Sequence, residues 1–277
     1  MRYGCCTNML VNYPGGPGGS GIEYLDQIKE IGFDYIELMA SQMSTMTESA
    51  FEQLARQIEA SGIRCEALNN FSSPDMRLTG PNVANSAVTA HVTAALNRAH
   101  ALGVEYVVFG SGPSKNVPEG FPRAEAYKQI VDLLARCNEI ARKSDVTICI
   151  EPLRHQECNI INTYAEGCQL ARDVNGSNVK VLIDYYHLAT EREPAQHIID
   201  GKKFLRHVHY SSIDRRSFPN KLDDELARDF FRALKTVGYN DRISLEAYIS
   251  KDFVQEASLA LQFLKDQVAV AEPFPVH

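Results

Sequence analysis

A chain of 277 residues with 44% hydrophobic and 23% charged side chains has the makeup of a soluble globular protein and the length for one large core. Its formal net charge of -7 opposes the approach of a polyanion, which argues against a dedicated nucleic-acid binder. No apolar run approaches the ~20 residues that span a bilayer, and Met1-Arg2-Tyr3-Gly4 enters a strand without a signal-peptide core, so a cytoplasmic protein without a membrane partner is expected.

Tyr3 to Cys6 reads as a short strand. The glycine-rich stretch from Pro14 to Gly21 follows, then a helix with Ile22, Leu25, Ile28 and Ile31 on one face. Gly16, Gly18 and Gly21 match the G-x-G-x-x-G spacing of a dinucleotide site, with Glu37 near the place of a ribose-binding acid. Two details oppose that reading. The glycines do not abut the strand, and Pro17 removes a backbone N–H from the anion cradle. The stretch is read as a loop over a site, and no nucleotide cofactor is expected.

The pattern then repeats. Tyr35 to Met39 predicts a strand, and Glu48 to Ala60 a helix stopped by Ser61-Gly62. Cys65 to Leu68 predicts a strand ending at Asn69-Asn70, and Val83 to Leu102 a helix stopped by Gly103. Tyr106 to Phe109 is a strand before Gly110-Ser111-Gly112, and a proline-containing loop leads to a helix from about Ala124 to Lys143. Further helices are expected near 164–174, 194–200, 223–237 and 252–268. The seven cysteines form no C-x-x-C pair or zinc-finger spacing; Cys5, Cys65 and Cys149 fall in strands and read as reduced core residues.

Four short apolar runs in the second half each end on a residue able to hold a metal ion. Thr147 to Ile150 runs into Glu151, Val179 to Ile183 into Asp184, Phe204 to Val208 into His209, and Arg242 to Leu245 into Glu246. Each has the length and β-branched content of a buried strand, and a helical segment follows each. Three carboxylates and an imidazole so far apart in sequence meet only if the four strands lie side by side and parallel. Eight strands alternating with eight helices fit an α/β fold, a (β/α)8 TIM barrel, whose sites form at the C-terminal strand ends. An open doubly wound sheet would spread the four residues along a line. One barrel domain over residues 1–277, with a C-terminal helix and short tail, is expected. Taken singly, each acid has an ordinary explanation as a strand-end charge, a helix cap or a surface group. Four at successive strand ends point instead to a site, and carboxylates with imidazole and no thiolate suit a hard divalent ion.

These residues resemble a known family. Ile150-Glu151-Pro152-Leu153, Leu182 to His187, His207-Val208-His209 and Leu245-Glu246 are similar to the metal-site motifs of the xylose-isomerase-like barrel superfamily, above all its D-tagatose and D-psicose 3-epimerase branch. The resemblance implies that Glu151, Asp184, His209 and Glu246 are metal ligands and that Glu151 and Glu246 are also the acid/base pair. For the ion itself the donor hardness puts Mn²⁺ first, with Mg²⁺, Co²⁺ or Zn²⁺ as alternatives. Glu157, His187 and Arg215 stand at the branch's offsets for residues that bind the carbonyl end of the sugar. The implied chemistry is proton abstraction from a ketose through a cis-enediolate, with a homodimer or homotetramer as the assembly.

The sequence also departs from that branch. Leu153-Arg154-His155-Gln156 precedes Glu157 in place of the Asn-Arg-aromatic run, and tryptophan is absent. Cys6, Glu37, Asn69 and Ser111 on the early strands have no clear counterpart, and His207, on the same strand face as His209, reads as a supporting polar residue. Rival chemistries on the same barrel are an aldose–ketose isomerase of the hydroxypyruvate type and a keto-inositol or dehydroshikimate dehydratase. An endonuclease IV-like nuclease needs extra histidines at early strand ends, where this chain has Asn69-Asn70 and Ser111, with His91 and His100 inside a helix.

Overall fold

A parallel strand buried on both faces is a continuous apolar run, and the runs of this chain form eight of them, closed into one barrel in the order of the sequence. The computed structural model describes residues 1–275. Its first half comprises β1 (Arg2–Cys6), α1 (Leu25–Ile31), β2 (Tyr35–Met39), α2 (Ala40–Thr45), α3 (Glu48–Ser61), β3 (Arg64–Asn69), α4 (Asn85–Ala101), β4 (Tyr106–Phe109), α5 (Gly112–Lys115) and α6 (Arg123–Lys143). The second half runs through β5 (Thr147–Ile150), α7 (Tyr164–Val174), β6 (Val179–Asp184), α8 (Tyr185–Thr190), α9 (Gln196–Asp200), β7 (Leu205–Tyr210), α10 (Glu225–Thr236), β8 (Arg242–Leu245) and α11 (Phe253–Val270). The seam closes where β1 pairs in parallel with β8, Arg2 opposite Arg242 and Cys5 opposite Leu245. Among the described residues no helix is long and apolar enough to cross a membrane.

Alternation along each strand divides the molecule into two layers. Outward residues such as Ile148, Ile150, Ile183, Val208, Tyr210, Ile243 and Leu245 join the helices in the main core. Inside the barrel, Ala67, Tyr106, Val108, Cys149 and Leu182 form a separate, smaller cluster. All seven cysteines are buried and unbonded, consistent with their reading as core thiols.

Several boundaries differ from the sequence reading. α2, α5 and α8 were not expected: each is six residues or fewer, too short for helical periodicity to show, and each starts within three residues of a strand. α4 begins at Asn85 rather than Val83, because the Asn85 N–H closes a turn on the Val83 carbonyl. α9 begins at Gln196 rather than Pro194, after turns that use the Pro194 and Ala195 carbonyls. β7 extends through Tyr210, so His209 lies within the strand and not just beyond it. The glycine-rich stretch is separated from β1 by a 3-10 turn over Thr7–Leu10 and is tied back by the Thr7 hydroxyl on Ser20 O and Asn12 on Gly19 O.

The N-terminal mouth of the barrel is plugged by charge. Arg242 donates from Nε to Glu66 at 2.6 Å, from Nη2 to Glu105 at 2.6 Å, and from Nη1 to Asp241 at 2.9 Å and Tyr106 Oη at 3.0 Å. Arg2 also pairs with Glu66, which is buried. Arg242→Met leaves Glu66 with only the half-exposed Arg2, and a broken buried pair costs about 3–5 kcal/mol. The expected outcome is a lower urea midpoint at unchanged slope, measured by circular dichroism.

Candidate metal centre and active site

β5, β6, β7 and β8 are consecutive in the barrel, and each delivers one donor to its C-terminal mouth. Glu151 follows β5, Asp184 ends β6, His209 lies in β7 and Glu246 follows β8. All four are buried, and one ligand atom from each lies within 4.8 Å of the others. His209 Nδ1 is 3.0 Å from Glu246 Oε2 and 3.5 Å from Glu151 Oε1. Asp184 also caps α8, its Oδ1 accepting the Tyr186 N–H at 2.9 Å, which fixes the carboxylate against the strand end.

The donor set fits a divalent cation. Three carboxylates and one imidazole without thiolate are the ligands of a hard ion, and Glu151 Oε1 is a buried oxygen with no hydrogen-bond partner. Room for Glu151 depends on Gly110, where any Cβ would collide with Oε2. The electrostatics show what a cation would relieve. Burial first, then the charges of Glu246 and Glu151 against the opposing pull of Arg216, raise Asp184 to about 7. Burial and Glu246 also raise Glu151. Burial pushes Glu246 the same way, but Arg216 and His209 outweigh it and hold that carboxyl below its usual range. His209 is raised well above an ordinary imidazole, because Glu37 and Glu246 overcome the cost of its burial.

The cluster opens into a cavity of about 310 Å³ lined by Glu151, Glu246, Glu157, His187, Arg216 and residues of the loops after β2, β3 and β4. A larger groove of about 870 Å³ lies on the outer face of α4, where Thr89, Ala90, Thr93 and Ala94 offer no convergent acids. Glu157 borders the cavity and takes Arg154 Nε at 2.6 Å. His187 is buried; burial and the charge of Arg216 hold its imidazole well below the ordinary range, so it is neutral. Its Nδ1 accepts the Arg154 backbone N–H at 3.3 Å, which places the proton on Nε2, an atom 3.5 Å from Asp184 Oδ2 and without a closer partner.

Arg215 is not brought to this site. Its side chain is 84% exposed and lies 3.5 Å from Asp214. The inward position belongs to Arg216, 12% exposed, which donates to Asp184 Oδ2 at 3.0 Å and to Glu246 Oε2. Both arginines have positive φ, 56° and 53°, in the left-handed region, so the chain turns sharply there and strand periodicity no longer predicts direction. Arg154 and Arg216 also lie over the Tyr186 ring, at 4.7 Å and 4.9 Å. A further residue missed from sequence is Lys115, fully buried, with Nζ on the Glu151 carbonyl at 2.9 Å. His91 and His100 are engaged elsewhere, on the Phe71 and Ser144 carbonyls.

With this geometry in place, the chain can be set beside known proteins. The family profile of the xylose isomerase-like TIM barrel matches residues 25–267, and the chain belongs to that family. A D-psicose 3-epimerase of Ruminiclostridium cellulolyticum is 24% identical over 236 residues, 82% of this chain and 78% of that protein. An inosose isomerase of Bacillus subtilis is 27% identical over 179 residues, 59% of this chain and 61% of that protein. The crystal structure of D-psicose 3-epimerase with D-tagatose from Clostridium cellulolyticum H10 superposes with a TM-score of 0.82 at 20% identity, over 97% of this chain and 99% of that one, a likeness of fold.

A metal ion and protons would compete for these groups. Because Asp184 is raised from 3.8 to about 7, the metal-free folded protein binds that proton more tightly than the unfolded chain, and the contribution of Asp184 to stability falls as pH rises between those values. An ion that displaces one such proton gains about tenfold in affinity per pH unit as pH rises toward 7. Calorimetric titration with Mn²⁺ at about pH 6 and about pH 8 is expected to show the tighter binding at the higher pH, with proton release into the buffer.

Proposed function

We propose that the chain is an isomerase-class enzyme, a divalent-metal-dependent ketose 3-epimerase acting on a small sugar. The observation that carries this reading is the pair of buried glutamates, Glu151 and Glu246, that border one polar cavity and belong to one metal-ligand cluster. The names of its relatives support the same chemistry.

Glu151, Asp184, His209 and Glu246 would hold the ion, with Mn²⁺ the first choice. When bound, it supplies positive charge to oxygens on which charge develops as the sugar carbon loses a proton. Inversion at carbon needs a base on one face and an acid on the other. Glu151 and Glu246 come from β5 and β8, with β6 and β7 between them, so they approach the cavity from separate positions on the ring. One removes the proton to give the cis-enediolate; the other returns a proton from the opposite face. The neutral His187 offers its Nε2–H to a sugar oxygen, and Glu157 and Arg216 complete the polar grip on the carbonyl end. Met39, Leu153, Pro74 and Pro113 supply the apolar wall in the absence of tryptophan. A second reading, proton transfer on a cyclic polyol ketone, takes its support from the inosose isomerase relative and uses the same residues.

The deciding experiment is proton NMR of the Mn²⁺-loaded protein in D₂O with a panel of ketoses and an inosose. Deuterium at C3 with the C3 epimer appearing is the expected result; an aldose product with exchange at C1 or C2 would move the assignment to an aldose–ketose isomerase. Glu151→Gln and Glu246→Gln are each expected to lower kcat by about 10²–10⁴, and ordinary turnover by either would remove that residue from the acid/base pair. Arg216→Met is expected to lower kcat/KM by about 10–100-fold, the worth of a charged hydrogen bond, whereas Arg215→Ala stays within about twofold, as for other surface changes.

A further inference from the structure

One layer below the metal cluster, a second set of buried polar groups takes no part in the chemistry just described. Glu37 lies in the middle of β2, flanked by Ile36 and Leu38, and is fully buried. Its Oε1 accepts His207 Nε2 at 2.6 Å and the Ser244 hydroxyl, and both its oxygens lie 3.2 Å from His209 Nε2. Ser244 in turn accepts the Tyr35 hydroxyl at 2.6 Å. Side chains from β2, β7 and β8 thus fix one carboxylate in place. A charge at this depth persists only when it is held by several donors.

His209 is the one residue shared between this set and the metal cluster. Its Nδ1 faces Glu246 and Glu151, while its Nε2 faces Glu37. An imidazole that binds a cation through Nδ1 carries its proton on Nε2, and that proton needs an acceptor. We propose that Glu37 is a positioning residue for the metal centre: by accepting the Nε2–H of His209 it sets the tautomer and ring plane that aim the Nδ1 lone pair at the ion. His207 and Ser244 keep the Glu37 carboxylate turned toward His209. His207 Nδ1 has no partner, so that ring contributes its one N–H to Glu37 and nothing to the site. The proposal rests on the metal-dependent reading above. It competes with one alternative on the same atoms, an ion held by Cys6, Glu37 and His209, whose donors also lie within 4.8 Å of one another. In that alternative Glu37 would be a ligand through Oε2, because Oε1 is the oxygen engaged by His207 and Ser244.

Three measurements on the full-length protein separate these readings. Mn²⁺ affinity is followed by the electron paramagnetic resonance of the free ion. Nitrogen modulation in the electron spin echo of the bound ion reports whether an imidazole ligates it. Co²⁺ absorption reports a thiolate ligand. Wild type is expected to bind one Mn²⁺ with imidazole modulation and no thiolate band. Glu37→Gln, which keeps the shape but exchanges a two-oxygen acceptor for an amide, is expected to lose about 10–100-fold in affinity with weakened modulation. Ser244→Ala, which frees one side of the Glu37 carboxylate, is expected to lose affinity by a smaller factor. Unchanged affinity and modulation in whichever of these variants folds overturns the assignment of Glu37 while leaving the metal centre intact. A thiolate band in wild type overturns it in favour of the Cys6 site. Failure of wild type to bind any divalent ion removes the functional reading and this inference together.

Discussion

Glu151, Asp184 and Glu246 repel one another in a pocket that excludes most water, and that repulsion sets terms for the residues around them. Like charges so close and so poorly solvated are tolerated only beside compensating cations. The fold supplies two: His209 from the adjacent strand and Arg216 from the loop beyond it. Their effect is uneven. Glu246, in contact with both, is held ionised, while Glu151 and Asp184 are pushed toward the neutral form. A divalent ion held by these residues would complete this balance.

The barrel interior is organised to keep that balance in place. Its apolar filling is a thin band of Ala67, Tyr106, Val108, Cys149 and Leu182 between two charged ends. At the N-terminal end Arg242 gathers Glu66, Glu105 and Asp241; toward the C-terminal end Glu37 gathers His207, His209 and Ser244. Every strand that carries a ligand is covered on its outer face by helices packed into the main core, so the donors project from backbone with little freedom to shift. The loops after β2, β3 and β4 contribute serines and prolines to the cavity wall.

Much of this was legible in the sequence, for definite reasons. Buried parallel strands are continuous apolar runs, so the eight strands and their order could be read directly, and an acid or histidine at the end of four successive runs marked the residues that the barrel brings into one buried cluster. Arg216 was not legible, because Arg215 is its neighbour and the choice between them depends on two successive left-handed residues that no periodicity reveals. α2, α5 and α8 were hidden by their shortness. Glu37 left a signal, a lone acid at an inward position of an apolar strand, but its partner His207 is 170 residues away, and nothing local names it. α7 shows the opposite case: Thr163 and Glu166 form a reciprocal capping box there, and its start was placed correctly from sequence.

The seam between β1 and β8 joins strands from opposite ends of the polypeptide. A growing chain can form β1 to β4 and their helices early, yet the ring stays open until β8 has been made and has crossed to β1. Pairings this remote in sequence are slow to form, because chain entropy is surrendered before the contact returns anything. Glu246 stands just past that last strand. The four candidate donors stand on adjacent strands, so they come together when β8 pairs with β7, and closure against β1 then fixes the last of those strands from its other side.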